Sequence, residues 1–123
     1  MSEAEHPYTE AYEIDGVVYV SGALSVDATG AVVGGRRDAL DAALEKLRVR
    51  LGTVGLGLES VVKTTYFVTD VTLRDEANEQ YLETFAVPRP ARSFVEVNRL
   101  PYGASVEIEA VARRPLTTKY LSA

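Results

Sequence analysis

The sequence predicts an α+β domain: a mostly antiparallel, mixed sheet with two helices packed on one of its faces. Three observations carry that expectation. Two stretches of helical period lie between runs rich in β-branched and aromatic residues. The elements follow the order β-β-α-β-α-β-β, with no internal repeat and no shift of composition along the chain. A length of 123 residues suits one domain, spanning 1–123, that buries a single core.

Each element has a local cause. In AYEIDGVVYVSG the pair Asp15-Gly16 is a hairpin turn signal between Ile14 and the run Val17 to Val20, which ends at Ser21-Gly22. Asp38 is placed to cap the first helix, because a carboxylate accepts a free first-turn N–H and suits the positive end of the dipole. Leu40, Ala43, Leu44, Leu47, Leu51 and Val54 then recur at three- and four-residue spacings, which buries one helix face, and Gly52 and Gly55 end it. The glycines of GTVGLGL follow a helix instead of opening one, so they read as a cap and loop and not as a phosphate site. VVKTTYFVT, Val61 to Thr69, is a strand by composition. Asp70 or Thr72 starts the second helix, in which Ala77, Tyr81, Leu82 and Phe85 form the apolar side until Pro88 and Pro90 stop it. Ser93 to Val97 and Val106 to Arg113 complete the sheet. Tyr66 and Tyr81 lie inside strongly patterned elements and read as packing aromatics rather than catalytic phenols.

Composition narrows the chemistry. Thirteen basic against eighteen acidic side chains give a net charge of −5, which repels polyanions and argues against nucleic acid as partner. The absence of cysteine removes disulfides, thiolate nucleophiles and cysteine-based zinc sites, and a single histidine, His6, does not make a metal site. Neither a metal nor another cofactor is expected. MSEAEHPYTE is acidic and no apolar run is long enough to span a bilayer, so a soluble, cytoplasmic protein without membrane partners is expected.

Strand alternation divides the last two strands by face. It places Ser93, Val95 and Val97 in the core and Arg92, Phe94 and Glu96 on the opposite side. Val106, Ile108, Ala110 and Ala112 are the core residues of the last strand, which leaves Glu107, Glu109, Val111 and Arg113 on the face that the helices do not cover. Two readings of that face are open. One is a wet surface whose ion pairs are each worth about 0 to 1 kcal/mol. The other is a subunit interface with a polar pocket, in which a buried Arg92 holds an anion and a neighbouring Glu handles protons.

The segment PARSFVEVNRLPYGASVEIEAVA resembles the C-terminal signature of the Rid/YjgF family of reactive enamine/imine intermediate deaminases. HPYTEAYEIDGVVYVSGALSVDATG is similar to that family's GPYSQA segment, VSG strand end and D-x-x-TG turn, and VVKTTYFVTD and NEQYLETF match further segments in the same order. The resemblance implies a chorismate mutase-like fold assembled as a homotrimer, sheets inward, with active sites between adjacent subunits. It implies that Arg92 binds the carboxylate of a 2-imino or 2-enamino acid and that Glu107 activates water or relays protons. It further implies that the backbone at Phe94 positions the reacting atoms and that Tyr8 lines the pocket, with Asn78 a candidate contact. The products it implies are a 2-oxo acid and ammonia. Two alternatives stand beside this one: a pathway-specific relative that dehydrates, cyclises or deaminates one intermediate, and a non-catalytic trimer that binds 2-oxo acids. The chain departs from the family at Phe94, where a small residue is usual, at Ala23-Leu24-Ser25, where a Gln-x-Pro element is usual, and at His6 and Glu10, which replace Gly and Gln. These departures point to a substrate other than the common small ones, and leave His6 as an exposed side chain or a proton carrier beside Tyr8. Some family members bear an endoribonuclease label, against which the acidic charge balance argues.

Overall fold

The structure is a computed structural model that describes residues 6–116. Its elements are β1 (Ala11–Ile14), β2 (Val17–Leu24), α1 (Arg36–Gly52), β3 (Val61–Val68), α2 (Arg74–Thr84), β4 (Ala91–Glu96) and β5 (Val106–Arg113). The strands form one five-stranded sheet in the order β1-β2-β5-β3-β4. All pairs are antiparallel except β3 with β4, which α2 joins by a crossover. The expected α+β class with its mixed sheet is therefore observed. No helix among the described residues is long and apolar enough to cross a membrane.

The hairpin turn uses Asp15 and Gly16 at φ 52° and 79°, the left-handed pair that matches strand twist. Helix α1 begins three residues earlier than expected, after Gly35 at φ 88°, so Asp38 lies in the first turn and does not cap it. The glycine supplies the turn, and the carboxylate keeps only its favourable place near the dipole's positive end. Before α2, Asp70 Oδ1 accepts from the Thr72 N–H at 2.9 Å, and Glu96 Oε1 accepts from the Val71 N–H at 2.9 Å.

One core lies between sheet and helices. Val18, Val20, Ala23, Tyr66, Val68, Val106, Ile108, Ala110 and Ala112 of the sheet meet Leu40, Ala43, Leu44, Leu47 and Leu51 of α1 and Ala77 and Tyr81 of α2. Each fully buried leucine contributes about 1.5–3 kcal/mol. A polar chain crosses this layer: Tyr66 Oη donates to Gln80 Oε1 at 2.7 Å, and Gln80 Nε2 donates to Asp41 Oδ1 at 2.9 Å. Tyr66 is fully buried, so its packing role is stronger than its sequence context suggested.

The face assignment of β4 is corrected. Thr64 pairs with Arg92 and Tyr66 with Phe94, and both β3 residues lie under the helices. Arg92, Phe94 and Glu96 therefore face the helix side, while Ser93 and Val95 occupy the open face and Val95 is 40% exposed. Strand β4 is one of the two edge strands. There the helices cover only part of one face, so the cationic end of Arg92 reaches the margin while its stem packs, and hydropathy no longer identifies the inner side. The division in β5 holds, with Val106, Ile108, Ala110 and Ala112 buried.

Candidate active site

Arg92 stands where α2 overhangs β4. Its guanidinium carbon lies 4.8 Å from the ring centre of Tyr81, 5.2 Å from that of Phe94 and 5.3 Å from that of Tyr66. Faces of aromatic rings attract a cation, most strongly where water is thin. Nη2 donates to Asn78 Oδ1 at 2.5 Å, whereas Nη1 is buried and makes no hydrogen bond among the described residues. Burial pulls the pKa of Arg92 down, and no carboxylate pairs with it among the described residues; a guanidinium still stays charged at neutral pH. The rings are themselves fixed: Tyr66 and Tyr81 meet edge to face, and the Tyr81 hydroxyl lies 2.5 Å from Thr64 Oγ1. The result is a partly desolvated cation held rigidly, with one nitrogen lacking an acceptor.

Glu107 belongs to the other side of the sheet. It pairs with Phe67 on β3 and with Leu24 on β2, so it is flanked by apolar neighbours. Burial raises its carboxyl pKa, Glu109 adds repulsion, and Arg50 opposes both. A cleft of about 740 Å³ opens at this carboxylate, lined by Tyr8, Gly22, Leu24, Arg50 and Tyr102 among others. His6 lines it too and stacks on Tyr8, with ring centres 4.8 Å apart. The arrangement is that of a carboxylate adjusted toward neutral pH beside a space for a small molecule, which is what a general base needs.

The predicted residues thus fall into two groups. Arg92, Phe94 and Asn78 gather at the α2 edge, and Glu107 and Tyr8 gather at the cleft; β3 and the thickness of the sheet separate them. Arg50 was not foreseen. It occupies a position on the apolar stripe of α1, between Leu47 and Val54, and a charge on a buried stripe is the signal that could have revealed it. The closeness of Gly22 to Glu107 had no sequence signal, because it follows from a bulge in β2.

A sequence model described as endoribonuclease L-PSP matches residues 1–114. A human protein named 2-iminobutanoate/2-iminopropanoate deaminase is 36% identical over 118 residues, covering 94% of this chain and 86% of its own length. Among solved structures, RidA from the Antarctic bacterium Psychrobacter sp. PAMC 21119 has a TM-score of 0.83 at 31% identity, covering 89% of this chain and 90% of that one. TdcF of E. coli, solved with bound serine, has a TM-score of 0.78 at 30% identity, covering 89% and 90% of the two chains.

Proposed function

The chain belongs to the Rid/YjgF family, and from that premise we propose that it hydrolyses 2-imino and 2-enamino acids to 2-oxo acids and ammonia, without a cofactor. The observation that carries the proposal is the incomplete coordination of Arg92, whose buried Nη1 lacks an acceptor while Nη2 is held by Asn78. A substrate carboxylate is the anion of matching geometry, and a planar fork binds it with defined orientation. The solved relative with bound serine carries a ligand that has such a carboxylate.

With the carboxylate fixed on Arg92, the C=N carbon is presented to a water beside Glu107. The water oxygen bonds to that carbon as Glu107 takes a proton and the C=N electron pair moves to nitrogen. Glu107 then returns that proton to nitrogen to give a carbinolamine, whose hydroxyl proton passes to the nitrogen as the C=O bond forms and the C–N bond breaks, so that the 2-oxo acid and ammonia leave. An enamine first accepts a proton on its β-carbon and gives one up from nitrogen, which yields the imine. Both transfers suit a carboxyl whose pKa is raised toward the working pH. Tyr8 shapes the wall of the cleft, and the backbone at Phe94 orients the reacting nitrogen.

Arg92 and Glu107 cannot serve one small substrate within a single copy. They lie on opposite faces, on strands separated by β3, about 10 Å apart in the sheet plane alone. The site therefore combines Arg92 of one copy with Glu107 of another, in a homotrimer whose subunits meet through the open face. The exposed apolar groups of that face, Tyr12, Tyr19 and Val95, are 56%, 51% and 40% exposed in one copy, which favours such a cover. The net charge of −5 counts against RNA as substrate.

The test is to release a 2-imino acid in situ with an amino-acid oxidase and follow its loss. Catalysed decay that disappears in Arg92→Ala supports the proposal. Full activity in that variant, or no acceleration by the wild type, removes it, and tight 2-oxo acid binding without any change in imine lifetime would identify a binding protein instead. A second reading, a pathway-specific relative, is favoured by the Phe94 ring 5.2 Å from the Arg92 guanidinium. Activity confined to imino acids with large unsaturated side chains distinguishes it.

A further inference from the structure

We propose that Arg50 is a positioning residue for Glu107: it locks the Ser21–Gly22 bulge of β2 and thereby sets where the Glu107 carboxylate stands. The proposal rests on the reading of Glu107 as the proton-handling group.

Arg50 is 4% exposed, an unusual place for a charge unless its partners are specific. The register of β2 against β5 shifts between Val20 and Ala23, so Ser21 and Gly22 have no partner residues on β5. Arg50 Nη1 donates to the carbonyls of both, each at 2.9 Å. Its Nε lies 3.0 Å from Glu10 Oε2, an ion pair without hydrogen-bond alignment. Glu10 and Thr9 are tied to the same bulge, since the Ser21 N–H donates to Glu10 O at 2.9 Å and Ser21 Oγ donates to Thr9 O at 2.7 Å. One side chain of α1 therefore joins the bulge to the segment that carries Tyr8.

The bulge in turn supports Glu107. A Cβ on Gly22 would stand 2.7 Å from both Cδ and Oε2 of Glu107, so the carboxylate rests directly on a bare Cα. The carbonyl of that same residue is held by Arg50. Arg50 also acts through charge. Glu107 is faced by Glu109 from β5, by Arg50 and Lys46 from α1, and by His6 and Tyr8 from the N-terminal segment, with Tyr102 across the cleft, while Glu10 pairs with Arg50 and offsets its charge. Of these, Glu109 raises and Arg50 lowers the carboxyl pKa. Neutralising Arg50 and neutralising Glu10 should consequently move the titration of Glu107 in opposite directions, which a role in folding alone would not do.

The experiment measures kcat, KM and the pH profile of kcat/KM on an in-situ imino acid for wild type, Arg50→Met, Glu10→Gln, Gly22→Ala and Glu107→Gln, with folding checked by circular dichroism. Arg50→Met is expected to lower kcat about tenfold or more, with a smaller change in KM. Its acid limb should move up by about half a pH unit or more, while that of Glu10→Gln moves down. Gly22→Ala should fold, because the obstructing atoms are the end of a flexible side chain, and should lose kcat as the methyl displaces the carboxylate. Folded Arg50→Met and Glu10→Gln with wild-type kcat and an unmoved acid limb overturn the proposal. If Arg50→Met does not fold, Glu10→Gln and Gly22→Ala decide it: a lowered limb with lost kcat supports the proposal, and wild-type behaviour of both overturns it. Wild-type turnover in Glu107→Gln removes the underlying assignment of Glu107. An inactive Glu107→Gln beside wild-type Arg50 and Glu10 variants removes the positioning role alone.

Discussion

Replacing Arg92 with methionine separates a substrate-binding arginine from a structural one. In the free protein Arg92 has one hydrogen bond, to Asn78, and three ring contacts at 4.8–5.3 Å, while its buried Nη1 makes no hydrogen bond among the described residues. Because Arg92 is only partly desolvated, each ring attraction is worth about 0.5–1 kcal/mol, so losing the three costs about 1.5–3 kcal/mol. Removing a partly desolvated charge with an unpaired donor returns about 1–3 kcal/mol, and methionine retains much of the packed stem. Stability should change by no more than about 1–2 kcal/mol, which in a domain of this size is a shift in Tm of a few degrees. Activity should behave otherwise. Truncating one partner of a buried, hydrogen-bonded charge pair costs about 2–5 kcal/mol, so kcat/KM should fall about 30- to 5,000-fold. Arg92→Lys should recover little, because an ammonium lacks the fork. The assay pairs imine decay with thermal denaturation on the same samples. A variant that keeps activity within threefold of wild type, or one that loses stability by several kcal/mol together with activity, would refute the assignment.

Three further outcomes follow from the same structure. Because the pKa of Glu107 is raised above its ordinary 4.5, the folded state binds that proton more tightly than the unfolded one, so the stability this adds is full below the unfolded value and is lost as pH rises through the folded one. Glu107→Gln should accordingly be more stable than wild type at pH 8, with the difference vanishing near pH 4, as read by melting curves across that range. Tyr66→Phe strands the Gln80 Oε1 acceptor, in a residue 1% exposed, and should cost about 1–3 kcal/mol, or about 3–8 °C in Tm. Phe94→Ala removes a ring 5.9 Å from that of Tyr66 and should destabilise by about 1–3 kcal/mol while raising kcat/KM for bulky imino acids relative to small ones in a substrate panel.

Much of this molecule was legible before its structure. Hairpin, helices and strands follow from turn chemistry and period, and the core of β5 follows from alternation because helices cover it fully. Alternation failed at β4 for a physical reason. On an edge strand Val95 stays 40% exposed on the open face, while Arg92 turns under α2 and sets its charge against Asn78 and the Tyr81 ring. The pattern found both charged strands but put Arg92 and Glu107 on one face, whereas the parallel pairing of β3 with β4 puts them on two. The role of Gly22 was invisible because it depends on a bulge, and Arg50 was overlooked although it interrupts an apolar stripe. The sequence shows no partner for Asn78, and the structure supplies one in Arg92.

The central claim, that one catalytic site draws Arg92 and Glu107 from different copies, is tested most directly by mixing two inactive variants. Arg92→Met and Glu107→Gln are unfolded together in equal amounts, refolded, and assayed for imine hydrolysis, with hybrid assemblies verified by native mass spectrometry. Random assembly leaves about a quarter of the inter-subunit sites with both residues intact, so about a quarter of wild-type activity should return. Hybrid assemblies that form and show no more activity than either parent would contradict the claim.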